Sequence, residues 1–188
     1  TNQYVICGLD FSLGEEVFQM PATGMTWMLG IGDQAWLGGP VTPGRLQTVD
    51  CKNGKVVRSF STSDHNEATL LATAACTYGD GRYGVSASPD GRLHLWELAE
   101  GRHLGQLLEI GSRVSHLAIS PDGLCLALGL ENGWVQIWDL EKRLLCQSIE
   151  GPWGKLTGLA LSTDSCELYI LGGDQVLRVW EMEWEILD

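Results

Sequence analysis

The chain has 188 residues, 44% hydrophobic and 19% charged, a globular profile long enough for one domain or a substantial piece of a larger one. Its formal charge of −12, from 24 acidic and 12 basic residues, argues against nucleic acid as the main partner, because a backbone-phosphate binder needs a basic face to displace counterions; it leans instead toward a basic protein or peptide partner. No run reaches the 18 or so apolar residues of a membrane span, and glycine, at 24 of 188 residues against a usual share of about 7%, points to many tight turns.

The elements follow a period. Trp96, Trp138 and Trp180 lie 42 residues apart, each followed by an acid: Trp96-Glu97, Trp138-Asp139 and Trp180-Glu181. Val49-Asp50 fills the same slot 47 residues before Trp96, and Leu9-Asp10 fills it 40 residues earlier still. A second landmark keeps step, since Asp33, Asp80, Asp122 and Asp164 each stand 16 residues before the slot of their own copy. Two landmarks in register over four copies define an internal repeat.

In chain order, residues 1–24 read as the last two strands of one sheet, followed by sheets over 25–60, 68–108 and 113–150 and an incomplete one over 155–188. The copy over 113–150 is the clearest. A strand from Val114 through His116 and Ala118 ends at Ser120-Pro121-Asp122-Gly123, in which proline presets φ and Asp-Gly supplies a side-chain bond and a positive φ. Leu124–Leu130 is a second strand, closed by the hairpin signal Glu131-Asn132-Gly133. Trp134–Asp139 is the third, Glu141-Lys142-Arg143 turns, and Leu144–Ile149 is the fourth. The final copy runs from Leu156 to Trp180, with Glu183-Trp184-Glu185-Ile186-Leu187 as the start of a fourth strand. No window sustains a 3.6-residue apolar period, so helix content should be near zero.

A four-stranded meander of this size buries one thin layer alone and is stabilised by stacking on copies of itself. The fold class expected is therefore all-β, a β-propeller of four-stranded antiparallel blades with about four blades' worth present, rather than a β-solenoid. The chain resembles the WD-repeat propellers along essentially its whole length, on the Trp-acid pairs above with Asp50 as a degenerate copy, and on Asp90-Gly91, Asn132-Gly133 and Asp174-Gln175 before the third strands. The resemblance implies a ring of about seven blades, of which these would be the C-terminal part, so that the upstream part of its own chain is itself a partner. A start at Thr1 rather than methionine is in keeping with a piece of something longer. The family's Gly-His pair before the first strand is absent here: the loops read Ile110-Gly111-Ser112-Arg113 and Glu150-Gly151-Pro152-Trp153, and only His65 could take the histidine's part. Its buried tetrads should be incomplete, with more of the stability coming from apolar packing.

No catalytic constellation stands out. His65, His94, His103 and His116 fall in different places without metal-ligand spacing, the repeat aspartates are explained by turn chemistry, and no phosphate cradle or nucleophile elbow occurs. Cys125 and Cys166 are expected in strands, and all six cysteines lack C-x-x-C pairing and are expected to be reduced thiols. No metal and no cofactor are expected, and the chain is not expected to be an enzyme. Its expected role is a protein-interaction scaffold or sensor in the cytoplasm, with the nucleus as the alternative compartment, or an architectural module docking to the rest of its own chain; a propeller enzyme with a central-channel site is the remaining alternative, against which the apolar or small first-strand residues Ala72, Ala74, Val114, Leu156 and Gly158 argue. The resemblance places the loops before the first strand and between the second and third strands on one rim, gathering Asp64, His65, Glu67, Arg92, Arg113, Glu131, Trp134, Trp153 and Asp174 as candidate partner-binding residues. Trp153 is open between two roles, an exposed interface anchor or a side chain folded over the neighbouring blade; for Trp134 packing is favoured.

Overall fold

The computed structural model describes residues 5–10, 15–21, 27–38, 46–60 and 71–182, and within them every regular element is a β-strand. Strands β1 (Val5–Asp10) and β2 (Glu15–Pro21) form an antiparallel pair. Three four-stranded antiparallel meanders follow. Blade 1 is β3 (Trp27–Ile31), β4 (Gln34–Gly38), β5 (Gln47–Asp50) and β6 (Val56–Ser59). Blade 2 is β7 (Ala74–Tyr78), β8 (Tyr83–Ala87), β9 (Arg92–Glu97) and β10 (Arg102–Glu109). Blade 3 is β11 (Val114–Ile119), β12 (Cys125–Leu130), β13 (Val135–Asp139) and β14 (Leu144–Ile149). Blade 4 has three described strands, β15 (Leu156–Leu161), β16 (Glu167–Gly172) and β17 (Leu177–Glu181). The first strands of blades 1 to 4 contact one another in succession, the radial arrangement of a β-propeller.

Each blade exists because its strands alternate and its turns are chemically specified. On the lower rim, between first and second strands, Ser120 Oγ donates to Asp122 Oδ1 and accepts from Cys125 N, while Asp122 Oδ1 accepts from Leu124 N. Forty-two residues on, Ser162, Asp164, Cys166 and Glu167 repeat the same bonds. These hydroxyl and N–H donors hold both carboxyls below the ordinary value of 3.8, with the serine hydroxyl as the largest cause in each. Beyond the third strands, Asp50 and Asp139, the acids of the repeat, accept backbone N–H groups from Lys52 and Lys142 and so start the turn to the fourth strand.

The cores lie between blades. Cys76, Val85, Ala87 and Leu93 of blade 2 pack with Val114, Leu117, Leu126 and Leu128 of blade 3. Ala118, Ala127, Val135 and Ile137 of blade 3 pack with Leu156, Leu168, Ile170 and Met182 of the next. Trp36, Leu46 and Phe60 join Ala72, Trp96 and Leu98 between blades 1 and 2. Ala72, just before β7, and the first-strand residues Ala74, Val114 and Leu156 belong to these inter-blade cores and are almost fully buried. Polar bonds cross the seams too: Trp27 Nε1 donates to Ala72 O at 3.2 Å, and Thr73 Oγ1 lies 2.6 Å from Val114 O and 3.1 Å from Ala87 O. Ser115 and Thr157, at the same place in the next two blades, bond to Gly129 O and Leu171 O.

The three repeat tryptophans are not equivalent. Trp96 is fully buried and its indole N–H donates to the buried Ser86 Oγ at 2.8 Å. In blade 3 the serine's place is taken by Leu128, and half-buried Trp138 donates to Gln136 on its own strand. Trp180, on the last described strand, is 39% exposed. Glu97 is held by Arg102, and Glu181 is exposed.

Two outcomes follow. Trp96→Ala should cost about 3–5 kcal/mol in chemical denaturation, Trp138→Ala less and Trp180→Ala least; equal losses at all three would contradict the burial gradient. Because Asp122 titrates below its unfolded value, its stabilisation is fully present above 3.8 and is lost as pH falls through the folded-state value. In Ser120→Ala the Asp122 carboxyl should return toward its ordinary value, read by carboxyl NMR titration, and acid unfolding should begin at a higher pH.

Candidate functional site

The upper rim is built from the hairpins between second and third strands and from the linkers between blades. Its hairpins repeat one device. Asp90, Asn132 and Asp174 each accept the backbone N–H two residues on, from Arg92, Trp134 and Val176 at 3.1–3.3 Å. The residue after each is left-handed: Gly91 at φ 82°, Gly133 at 90° and Gln175 at 62°. The glycines also allow contact with the next linker, since a Cβ on Gly91 would lie 2.5 Å from Ser112 O and one on Gly133 would lie 2.5 Å from Gly154 O. Backbone bonds complete the rim: Ile110 N donates to Gly91 O, Glu131 N to Arg113 O, and Gly173 N to Lys155 O.

Charges stand on this frame. Arg92 pairs with Asp90 at 3.2 Å and lies 3.9 Å from Glu109, and Arg113 lies 3.9 Å from Glu131. Arg178 clasps Asp174 with both guanidinium nitrogens, at 2.6 and 3.2 Å. All are solvent-accessible, so each pair contributes about 0–1 kcal/mol and remains open to exchange for a partner's charges. Partial burial alone would raise the Asp90 carboxyl, but the Ser88 hydroxyl, the Arg92 N–H and the Arg92 guanidinium outweigh it and hold the group below its usual value. The Asp174 carboxyl is likewise lowered, chiefly by its hydrogen bond to Arg178. A shallow depression of about 400 Å³ opens among Ser112, Arg113, Glu131 and Asn132.

Of the residues singled out from sequence, the structure brings Arg113 and Glu131 together at this depression, with Arg92 and Asp174 on the same class of hairpin in the blades to either side. Asp64, His65 and Glu67 lie outside the described residues. Trp134 is half-buried against the core between blades 2 and 3, as packing requires. Trp153 needs correction as a partner-binding residue. It is 3% exposed, packs into the core between blades 3 and 4, and donates its indole N–H to Gly133 O at 2.5 Å. The signal for this was in the glycines: a Cβ at Gly151 would overlap the indole ring, and one at Gly172 would lie 2.5 Å from the Trp153 Cβ. Arg178, which sequence reasoning passed over, sits 6.0 Å from that ring and braces Asp174 above it.

Reactive groups are dispersed: Cys51, Cys146 and Cys166 are exposed thiols, and Cys166 stands just before β16 rather than in a strand. His94, 5% exposed, is within 3.4 Å of Ser88 Oγ and 3.3 Å of His103, whose ring leans on Trp96. Burial lowers the pKa of His116 and pushes the Cys125 thiol up to about 12, where it is protonated and unreactive at neutral pH. Among the described residues no group of three or more His, Cys, Asp or Glu could hold a metal ion, and no helix is long and apolar enough to cross a membrane.

Fold and rim together define a radial array of antiparallel blades whose variable loops gather on one face. The family described as "WD domain, G-beta repeat" matches residues 105–139, from the outer strand of blade 2 through the third strand of blade 3. Among curated proteins, the chain is 28% identical over 132 residues to "Pre-mRNA-processing factor 19 homolog 2" of Arabidopsis thaliana, covering 69% of this chain and 24% of that protein. It is 32% identical over 110 residues to "Small ribosomal subunit protein RACK1y" of Oryza sativa subsp. japonica, covering 55% of this chain and 32% of the relative. These matches, with the observed blades, support a WD-repeat β-propeller family. It spans about a quarter of the length of the first relative and about a third of the second.

The burial of Trp153 sets a measurable expectation. Trp153→Ala should destabilise the protein by about 3–5 kcal/mol in chemical denaturation, through a cavity and an orphaned Gly133 carbonyl. A change within about 0.5 kcal/mol, the range of ordinary surface substitutions, would return this residue to the surface.

Proposed function

We infer that this propeller is a non-catalytic interaction module that takes a protein or peptide partner on its upper rim. The observation carrying this reading is the rim itself, where one rigid hairpin device is repeated in three blades while the residues it presents differ from blade to blade. Arg92, Trp134 and Val176 share one position of the hairpin, and Ser112 and Gly154 stand where the following linkers meet the hairpin glycines. A fixed frame with variable occupants suits recognition rather than chemistry. Arg113 and Glu131, loosely paired across the depression, are the groups best placed to exchange partners with an incoming chain. The overall charge of −12 favours a basic partner, for which Glu131 and Glu109 supply the acceptors and whose approach the field of the whole protein would speed. The relatives are named as a pre-mRNA-processing factor and a small ribosomal subunit protein, and an intracellular setting, cytoplasmic or nuclear, fits both names.

A second reading, architectural docking within a larger ring, is favoured by one observation. The outward face of blade 4 leaves Leu177 60% and Val179 52% exposed.

The interaction reading is tested by comparing wild type with a double variant, Arg113→Ala with Glu131→Lys, for capture of stoichiometric partners and for melting temperature. The expected result is loss of at least one partner, with affinity reduced by roughly tenfold or more and the melting temperature unchanged. A full set of partners retained with undiminished affinity would remove the upper rim of blade 3 from the proposal.

A further inference from the structure

The periphery of the array is made of the fourth strands. First strands of successive blades contact one another, so the last strand of each sheet stands farthest from them and has a neighbouring strand on one side only. Such an edge offers unpaired N–H and C=O groups to any other strand, and proteins blunt it with charges, glycine or proline, irregular register or short length. β6 has only four residues and carries Arg58, while β10 carries Arg102, Gly105 and Glu109 and shifts register twice. β14 is different. Leu144–Ile149 holds no charge, no proline and no glycine, and its first five residues are exposed, with Leu144 at 53% and Leu145 at 38%.

One irregularity remains, and it selects what can lie there. Cys146 is skipped between Leu145, opposite Trp138, and Gln147, opposite Ile137. Residues directly opposite one another share a face of the sheet. Leu145 and Ser148 therefore share the face of Trp138 and Gln136, while Leu144 and Ile149 share that of Asp139 and Val135. An antiparallel copy of β14 matches these faces when Leu144 meets Ile149 and Leu145 meets Ser148, with the two Cys146–Gln147 steps together at the centre. The flanking charges agree with that register, since it sets Arg143 of each copy opposite Glu150 of the other. Sliding the copy by two residues would oppose Glu141 to Glu150 in one direction and Leu145 to Glu150 in the other. Opposite charges across a strand pair are favourable and like charges are not. The flanks also balance, Glu141 and Glu150 against Lys142 and Arg143, so the general repulsion between two copies of charge −12 is weak here.

We propose that the β14 edge pairs with the same edge of a second copy of this chain, antiparallel about a two-fold axis at the Cys146–Gln147 step. Two four-stranded blade 3 sheets then become one continuous sheet. A second copy is the occupant because the edge is complementary to itself: a base at its start, an acid just past its end, and Leu144 meeting Ile149, each contact made twice as a two-fold interface requires. One strand pair is a small interface, so the association is reversible and rises with concentration. It leaves the upper rim free and stands or falls independently of the partner read there.

The test uses the full-length polypeptide in light and heavy isotope forms, mixed and treated with a short thiol-to-thiol crosslinker that acts on the native exposed Cys146. Mass spectrometry reads the light–heavy links. Wild type should give a Cys146–Cys146 link between copies, with a yield that rises with protein concentration. Arg143→Glu alone, or Glu150→Arg alone, sets like charges opposite each other twice per dimer and should cut that yield about tenfold. Mixing the two variants should restore it, because an edge acidic at both ends then meets one basic at both ends. A folding defect in either variant could not be cured by mixing, so restoration reads the pairing itself. Absence of a link between wild-type copies overturns the second copy as occupant, and so does a link in cells from Cys146 to a different polypeptide with none to a second copy. A link that neither reversal weakens, or that the mixture fails to restore, overturns the antiparallel register.

Discussion

A sheet of four strands, each about five residues long, has two faces and only a single layer of side chains on each, so neither face can be kept dry except by another sheet. Everything else in this molecule is subordinate to that requirement. Blades 2 and 3 are sealed on both sides, and β12 of blade 3 is buried at every residue from Cys125 to Leu130. The buried hydrocarbon resides in the seams between blades, while each single blade has almost no interior of its own. Hydrogen bonds such as Thr73 to Val114 O and Trp27 to Ala72 O then fix how each pair of sheets is aligned, a task that non-directional apolar contact performs poorly.

The repeat was legible in the sequence because turns and strand ends are made by specific chemistry at fixed spacing. Asp-Gly and Asn-Gly pairs before the third strand, Ser-x-Asp before the second, and the acid after the tryptophan all perform in the structure the local bonding that their residue types suggest. The fourth strand of blade 3 was legible for the same reason, whereas the one expected at Glu183–Leu187 lies outside the described residues. What sequence could not resolve was which large residues sit at a seam and which at a surface. Trp96, Trp138 and Trp180 occupy one slot yet range from fully buried to 39% exposed, because exposure depends on the neighbouring sheet and not on the strand that carries the residue.

The candidate site shows the same division. Arg113 and Glu131 were recognisable as rim residues from their loop positions, and they do meet at the depression between two blades. Trp153 was ambiguous because a tryptophan in a loop looks identical whether it faces water or a glycine-lined slot; Gly133, Gly151 and Gly172 together form that slot, and they are contributed by three different segments. Trp36 escaped attention altogether, since its register position holds valine in blade 2 and alanine in blade 3, and only the glycine facing it across the seam betrays its role.

The contact of Trp36 with Gly84 bears on how such an array can change over time. Gene duplication inserts blades whole, and a copy of blade 3 placed between blades 1 and 2 would bring Leu126, 42 residues on from Gly84, against Trp36. A copy of blade 2 in front of blade 4 would bring Leu168 into the core that holds Val85, where Leu126, of the same size, already sits. The blades therefore share an architecture without being exchangeable: the order is written into complementary shapes at the seams, and growth of the array is tolerated at some junctions and sterically barred at others.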